Sequence, residues 1–406
     1  MKLLIAIAFF TVISVVGAKI TFLDRRLPLG FRNILFTGTE YIFIGILMGG
    51  MGLNILDGLT LNKLQPFLVF GLSWIGFLYG VQFEFRFMRK LPRYYFSITA
   101  IHGVLTFVLV TSLMFLAFSL FLGYAGKSLF IISITLGATG ACTAQSAIAI
   151  VSRNYRIKNR GLLELLRYIS SVDGLFALIF FAIALSVVAG FRGSSFSVTG
   201  ALIWLGIAMI TGLVPAIILI LLSRVRFSQQ EYLVFLVGTV MFCGGLAHDI
   251  NQSPLISGLV CGIIVANLCR HRLRAMELVV HAEKSIYIIL LLFVGASWQL
   301  TIDFSLLIPL IYLIARLIGK ISGAWVAVRV FKPRFKTPSG LGLGLISEGG
   351  LAVAIVLEFC MFNPSYTNLL LTVIIISILT NELLSPRFIL AQFGESEALL
   401  ITKTEF

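Results

Sequence analysis

The sequence predicts an all-α polytopic membrane protein of about 13 transmembrane helices, built as two inverted repeats with discontinuous helices. Three observations carry that prediction. The 406-residue chain is 59% hydrophobic, with a mean hydropathy of +1.04, far above the soluble average. Apolar segments recur from end to end. Lys and Arg concentrate in alternate connections between them, as in membrane proteins whose basic loops stay on one side.

The segments fall near residues 3–18, 40–56, 65–83, 95–122, 128–152, 162–189, 198–222, 231–247, 254–268, 278–298, 304–331, 339–361 and 365–390. Some, such as 254–268, are short, and the longest have room to tilt. With the N-terminus outside, the inner loops hold the basic residues of 19–32, 86–93, 153–160, 224–226, 270–274 and 329–336. The outer side holds only Lys2, Lys63, Lys127 and Arg192. That contrast predicts an odd number of spans and a cytoplasmic C-terminus. Residues 1–18 also have the look of a signal peptide. Cleavage there would leave the basic stretch Lys19 to Arg32 outside, so a retained first helix is expected. The tail of residues 393–406 is expected to be short and cytoplasmic, with no room for a nucleotide-binding regulatory domain.

Several function classes fall away. The net charge of +14 follows membrane sidedness and forms no basic face with interleaved aromatics, so no nucleic-acid partner is expected. The five cysteines are scattered through apolar runs without CxxC spacing and read as small buried hydrophobes. The four histidines form no ligand cluster, and Gly126-Lys127-Ser128 lacks the upstream glycine of a phosphate-binding loop. No cofactor, structural metal or covalent chemistry is therefore expected.

Two segments are interrupted by small residues. Gly137-Ala138-Thr139-Gly140-Ala141-Cys142-Thr143 lies in the fifth segment, and Ser347-Glu348-Gly349-Gly350 in the twelfth. These are the fifth segments of two six-segment halves joined by the seventh. Interruptions at matching places in two halves point to an inverted-repeat transporter with its site at the breaks.

Asp173 sits about ten residues into the apolar run Leu162 to Val188, roughly 15 Å deep. A charge there costs at least ~2.5–3.5 kcal/mol and needs a partner, a proton or a cation. Arg316 and Lys320, four apart and so on one helix face, are the candidate partners in the eleventh segment. A static ion pair is the bland alternative. Thr139, Thr143, Gln145 and Ser146 lie at or after the first break and offer oxygen ligands to a hard cation. Glu348 is read as a second carboxylate or as a counter-ion to Arg316. Gln82, Glu164, Arg167, Glu283, Lys284, Glu358 and Glu382 lie nearer segment ends and read as snorkelling side chains. His102 and His281 read as hydrogen-bonded core residues.

Beyond these readings, the chain resembles the monovalent cation:proton antiporter (sodium/hydrogen exchanger) superfamily over nearly its whole length. The resemblance rests on Gly80-Val81-Gln82-Phe83-Glu84, Ser257-Gly258-Leu259-Val260-Cys261-Gly262, Leu292-Phe293-Val294-Gly295-Ala296-Ser297 and Gly319-Lys320-Ile321-Ser322-Gly323, in that order around two interrupted helices. It implies a homodimer in which residues 1–91 and 191–302 form a scaffold. Residues 92–190 and 303–392 would form a core that moves in alternating access. It also implies that Asp173 binds the ion and that Lys320, or Arg316 one turn away, is the family's basic residue. Thr143 takes the place of the threonine at the family's first break.

Three positions depart from the family pattern. Val172 precedes Asp173 where Asn or Asp is usual, Thr143-Ala144-Gln145 replaces Thr-Asp-Pro, and Ser347-Glu348-Gly349-Gly350 replaces an Arg-Gly-Glu motif. Loss of an acid at one break and a base at the other keeps local charge balanced, so Asp at position 144 alone is expected to impair folding or transport. The expected function is exchange of Na⁺ or K⁺ for H⁺ across a bacterial inner membrane. The alternatives are a degenerate antiporter fold acting as a sensor or subunit, and a proton- or sodium-coupled organic anion transporter.

Overall fold

The computed structural model describes residues 2–19, 28–89, 92–124, 126–192, 195–223, 228–269, 272–299, 307–393 and 398–400. Helices α1 (Lys2–Lys19), α2 (Leu29–Thr37) and α3 (Tyr41–Met48) lead to the short α4 (Gly58–Lys63). Next come α5 (Gln65–Val81), the single turn α6 (Phe85–Met88), α7 (Arg93–Phe121), α8 (Gly126–Ala141) and α9 (Ser146–Asn154). The long α10 (Arg160–Gly190) is followed by α11 (Val198–Leu222), α12 (Gln229–Asp249), α13 (Pro254–Leu268) and α14 (Arg272–Ser297). The chain closes with α15 (Leu307–Phe331), a 3-10 turn at Leu341–Leu345, α16 (Gly350–Phe362) and α17 (Thr367–Phe393). Two small antiparallel pairings complete it: β1 (Tyr155–Ile157) with β4 (Ala398–Leu400), and β2 (Phe191–Arg192) with β3 (Ser195–Phe196).

Each apolar segment of the sequence coincides with one helix or with a broken pair. Among the described residues, eight helical units are long and apolar enough to cross a membrane. Their outer faces carry exposed Leu202, Met209, Leu120 and Val234, which only lipid covers without cost. The chain is an integral, multi-pass membrane protein.

Local chemistry sets the helix ends. Asn159, Ser197 and Ser253 cap α10, α11 and α13 with side-chain oxygens, and Ser228 with Glu231 forms a reciprocal capping box on α12. Gly38, at φ 82°, ends α2 in the left-handed conformation that glycine adopts freely. Asp57 caps α4 and pairs with Lys2 at 3.1 Å. The Thr60 hydroxyl and N–H, then Lys2, hold its carboxyl down to about 2.

Helices α5 and α13 approach until backbones touch, because Gly76 and Gly80 face Gly258 and Gly262. A Cβ at Gly76 would lie 1.9 Å from the Leu255 carbonyl oxygen. Gly76→Leu is therefore expected to destabilise the fold by about 1–3 kcal/mol or more. Thermal unfolding in detergent measures this, and an unshifted midpoint would mean that the two helices can part freely.

The ends of the helices assort consistently. Lys2 of α1 reaches Asp57 at one face; from there α5 and then α7 cross and return the chain to Tyr124, whose ring meets Tyr366 edge-on with centroids 6.0 Å apart. At the other face, Asn159 Nδ2 donates to the Lys336 carbonyl at 3.1 Å. The α8–α9 unit thus runs toward the basic face, and the 3-10 turn and α16 run away from it. The two broken units are antiparallel, as an inverted repeat requires.

Side chains away from the breaks depart from the sequence expectations. Arg32 is no loop charge: it is buried in α2 and its Nη2 donates to Asn154 Oδ1 at 2.8 Å. Glu358 does not snorkel. Fully buried on α16, it accepts from Ser253 Oγ and, at 2.8 Å, from Leu255 N–H, so it caps the N-terminus of α13 from another helix. Glu358→Ala would orphan that end and is expected to cost about 1–3 kcal/mol in unfolding measurements; a neutral result would make the cap dispensable. His102 is buried as expected, but neither ring nitrogen has a hydrogen-bond partner. His281 bonds the Glu277 carbonyl at 2.7 Å yet lies exposed, outside the core.

Candidate functional site

The two interruptions cross. The first spans Cys142–Gln145 between α8 and α9, and the second spans Ile346–Gly349 between the 3-10 turn and α16. Ala144 N–H donates to the Ser347 carbonyl at 3.0 Å, and Thr143 Oγ1 donates to the Leu345 carbonyl at 3.2 Å. A Cβ at Gly349 would approach Ala144 Cβ to 2.8 Å, so the crossing depends on small residues on both strands.

Breaking a helix in the membrane leaves carbonyls at the end of each first half without partners. Helix α15 supplies the donors. Ile308, Tyr312, Arg316, Lys320 and Ala324 recur every four residues along its buried face. Arg316 Nη1 donates to the Ile346 carbonyl, while Nη2 donates to those of Cys142 at 2.7 Å and Ser347 at 3.2 Å. One guanidinium therefore ties both breaks together, a task suited to its planar fork. Lys320 Nζ donates to the Ala141 carbonyl at 2.7 Å and to Thr143 Oγ1 at 2.8 Å. Both cations sit at the negative ends of half-helices.

Asp173, on α10, meets this crossing and is fully buried. Its Oδ1 accepts from Thr143 N–H at 3.3 Å and its Oδ2 from Lys320 Nζ at 3.5 Å. Both contacts are long beside those Lys320 makes to oxygen acceptors on the first break. The carboxylate is held loosely, and the lysine has other partners when it lets go.

Glu348 is the counter-ion of Arg316, with Oε2 3.9 Å from Nε. Tyr312 Oη donates to its Oε1 at 2.9 Å, and Ser377 Oγ and Asn381 Nδ2, the latter at 3.1 Å, donate to Oε2. Thr139 Oγ1 lies 3.0 Å from Tyr312 Oη and takes part in this second network. The structure thus groups Thr143 and Lys320 with Asp173, and Arg316 and Thr139 with Glu348. Gln145 projects into a cavity beside the breaks, and Ser146 turns to Glu382, its Oγ 3.4 Å from Oε2.

That cavity, about 330 Å³, lies between the breaks and the helices α2, α5 and α14. Gln145, Ser146, Glu283, Gln82 and Tyr287 are among its walls, and Asp173 is not. The Tyr79 ring packs against Gly174, where a Cβ would meet Cε1 at 2.4 Å, and Tyr287 packs likewise against Gly350. Both tyrosines stand in the cavity wall, and Tyr79 lies beside the residue that follows Asp173. Gln82, Glu283 and Lys284, read from sequence as snorkelling, form part of the cavity wall instead.

Sequence reasoning missed Glu382. It is fully buried on α17 and accepts from Ser347 Oγ at 2.9 Å and from Asn33 Nδ2 on α2. A signal existed: Ser377, Asn381 and Ser385 recur every four residues, marking a polar stripe along an apolar helix.

Comparison with known proteins bears on the family and the fold. Residues 12–388 match the family described as sodium/hydrogen exchanger, transmembrane. A search of curated protein sequences gives no match. The structure of the sodium proton antiporter MjNhaP1 from Methanocaldococcus jannaschii at pH 8 is similar, with a TM-score of 0.69 and 17% identity over 97% of this chain and 100% of that one. An electron-microscopy structure of the same antiporter gives 0.63 at 16% identity, covering 95% of each chain. At such identities the likeness concerns the fold, and the family match carries the assignment. The chain belongs to the sodium/hydrogen exchanger family.

Proposed function

We propose that the protein exchanges a monovalent cation, Na⁺ or K⁺, for H⁺ through Asp173, by alternating access and without covalent chemistry. One observation carries this reading. A fully buried carboxylate lies where two broken helices cross, with contacts of 3.3 Å to Thr143 N–H and 3.5 Å to Lys320 among the described residues. A negative charge so placed must be neutralised to move, and Lys320, a proton and a cation compete for that role. When a cation or proton takes Asp173, Lys320 keeps the Ala141 carbonyl and Thr143 Oγ1 and stays satisfied.

Residues 92–190 and 303–392 contain both breaks, Asp173 and α15, and they move as the core in this reading. Residues 1–91 and 191–302 supply the α5–α13 crossing and form the scaffold, through which two copies pair. The membrane is a bacterial inner membrane with the N-terminus outside, which directs the cavity to the cytoplasm. Binding of an organic anion is disfavoured, because both Nη atoms of Arg316 already serve backbone carbonyls.

Proteoliposomes with an internal pH dye test the reading. Addition of Na⁺ or K⁺ is expected to drive proton flux, with an apparent KM for the cation that rises as pH falls, because the proton competes for one carboxylate. Absence of flux with Na⁺, K⁺ and Li⁺ from a folded preparation would sink it.

A further inference from the structure

We propose that Glu382, with Asn33, Ser146 and Ser347, forms a second site at which Na⁺ and a proton compete, separate from Asp173. The carboxyl is fully buried, and among the described residues it makes no salt bridge. A carboxylate so placed keeps its charge only with a cation bound, and otherwise holds a proton.

The groups around it suit a small hard cation. Ser347 Oγ lies 2.9 Å from Oε1 and Ser146 Oγ 3.4 Å from Oε2, while Asn33 Nδ2 donates to Oε2. Each hydroxyl carries lone pairs that can turn to a metal ion when its proton turns away. Asn33 is itself fully buried, and its Oδ1 has no hydrogen-bond partner. A buried acceptor left unpaired is costly, and a half-turn of the amide would bring it to a cation beside Glu382, in exchange for the bonds Nδ2 makes to Oε2 and, at 3.0 Å, to the Glu382 carbonyl. With both carboxylate oxygens, this makes an all-oxygen ligand set.

The local charge fits one positive charge. Of the charged groups on the packed elements, Glu348 follows Ser347, is engaged by Tyr312, Ser377 and Asn381, and balances Arg316, whose Nη2 reaches the Ser347 carbonyl. Arg32 is turned to Asn154, and Arg153 on α9 and Arg387 on α17 are exposed. A single carboxylate balances Na⁺, whereas a divalent ion would leave excess buried charge. Ser146 lines the cavity, so an ion has a route in and the displaced proton a route out. The idea relies on the exchanger reading only for the choice of Na⁺ as probe.

The test is the thermal unfolding midpoint of the full-length protein against NaCl, with choline chloride holding ionic strength, at alkaline pH. It is run in Asp173→Asn, which silences the first site. The expected result is a saturable Na⁺-dependent rise in Asp173→Asn that disappears in Asp173→Asn with Glu382→Gln. No rise in Asp173→Asn, or a rise that survives Glu382→Gln, overturns the second site. Should the double variant fail to fold, Ser347→Ala in the Asp173→Asn background keeps the carboxylate and is expected to weaken Na⁺ roughly tenfold; an unchanged midpoint titration overturns the proposal. Failure of the Asp173 reading appears separately, as wild-type flux in Asp173→Asn vesicles.

Discussion

Asp173→Asn is expected to abolish cation-driven proton flux in proteoliposomes while leaving the fold in place. The amide oxygen can still accept from Thr143 N–H, and Lys320 keeps the two shorter contacts to Ala141 and Thr143 Oγ1. What disappears is the group that takes a proton or a cation, so neither ion can be carried across. Loss of flux with a retained unfolding midpoint separates function from folding. Equal dye signals from wild type and variant would remove Asp173 from the mechanism.

Arg316→Ala is expected to be the most destabilising single change, at about 3–5 kcal/mol, because it leaves a buried network without its centre. The Ile346 and Cys142 carbonyls lose the donors Arg316 supplies, the Ser347 carbonyl is left with Ala144 N–H, and Glu348 loses its counter-ion. Arg316→Lys should rescue only in part, since one ammonium cannot reproduce the fork that reaches both breaks. Glu348→Gln should be milder: a neutral amide oxygen still accepts from Tyr312, and Arg316 keeps its carbonyls. A wild-type unfolding midpoint for Arg316→Ala would show that the crossing holds itself together.

The helical layout was legible because lipid imposes long apolar runs and charge sidedness, and both survive in a single sequence. The breaks were legible from glycine and polar residues at matching places in the two halves. Asp173 and Lys320 stood out because charge in mid-membrane is rare. Pairings were less readable: Arg316 and Lys320 are equivalent by spacing, and only coordinates show Arg316 on Glu348 and Lys320 on Asp173. Glu358 and Glu382 were misjudged for a physical reason. Depth along a helix says nothing about which face a residue occupies, and both face protein. Helix α2 was left in a basic loop, because Arg32 and Asn33 look unfit for a membrane until Asn154 and Glu382 come to meet them.

The tyrosine pair in the cavity wall also bears on electrical behaviour. Tyr79 packs on Gly174 and Tyr287 on Gly350, and the cavity wall that both rings join does not include Asp173, so an ion must pass the rings to reach the acid from that side. Planar-bilayer recordings should therefore show no unitary openings at any voltage, and throughput should scale with the number of protein cycles per second. Trimming either ring to alanine should be the first change to introduce leak.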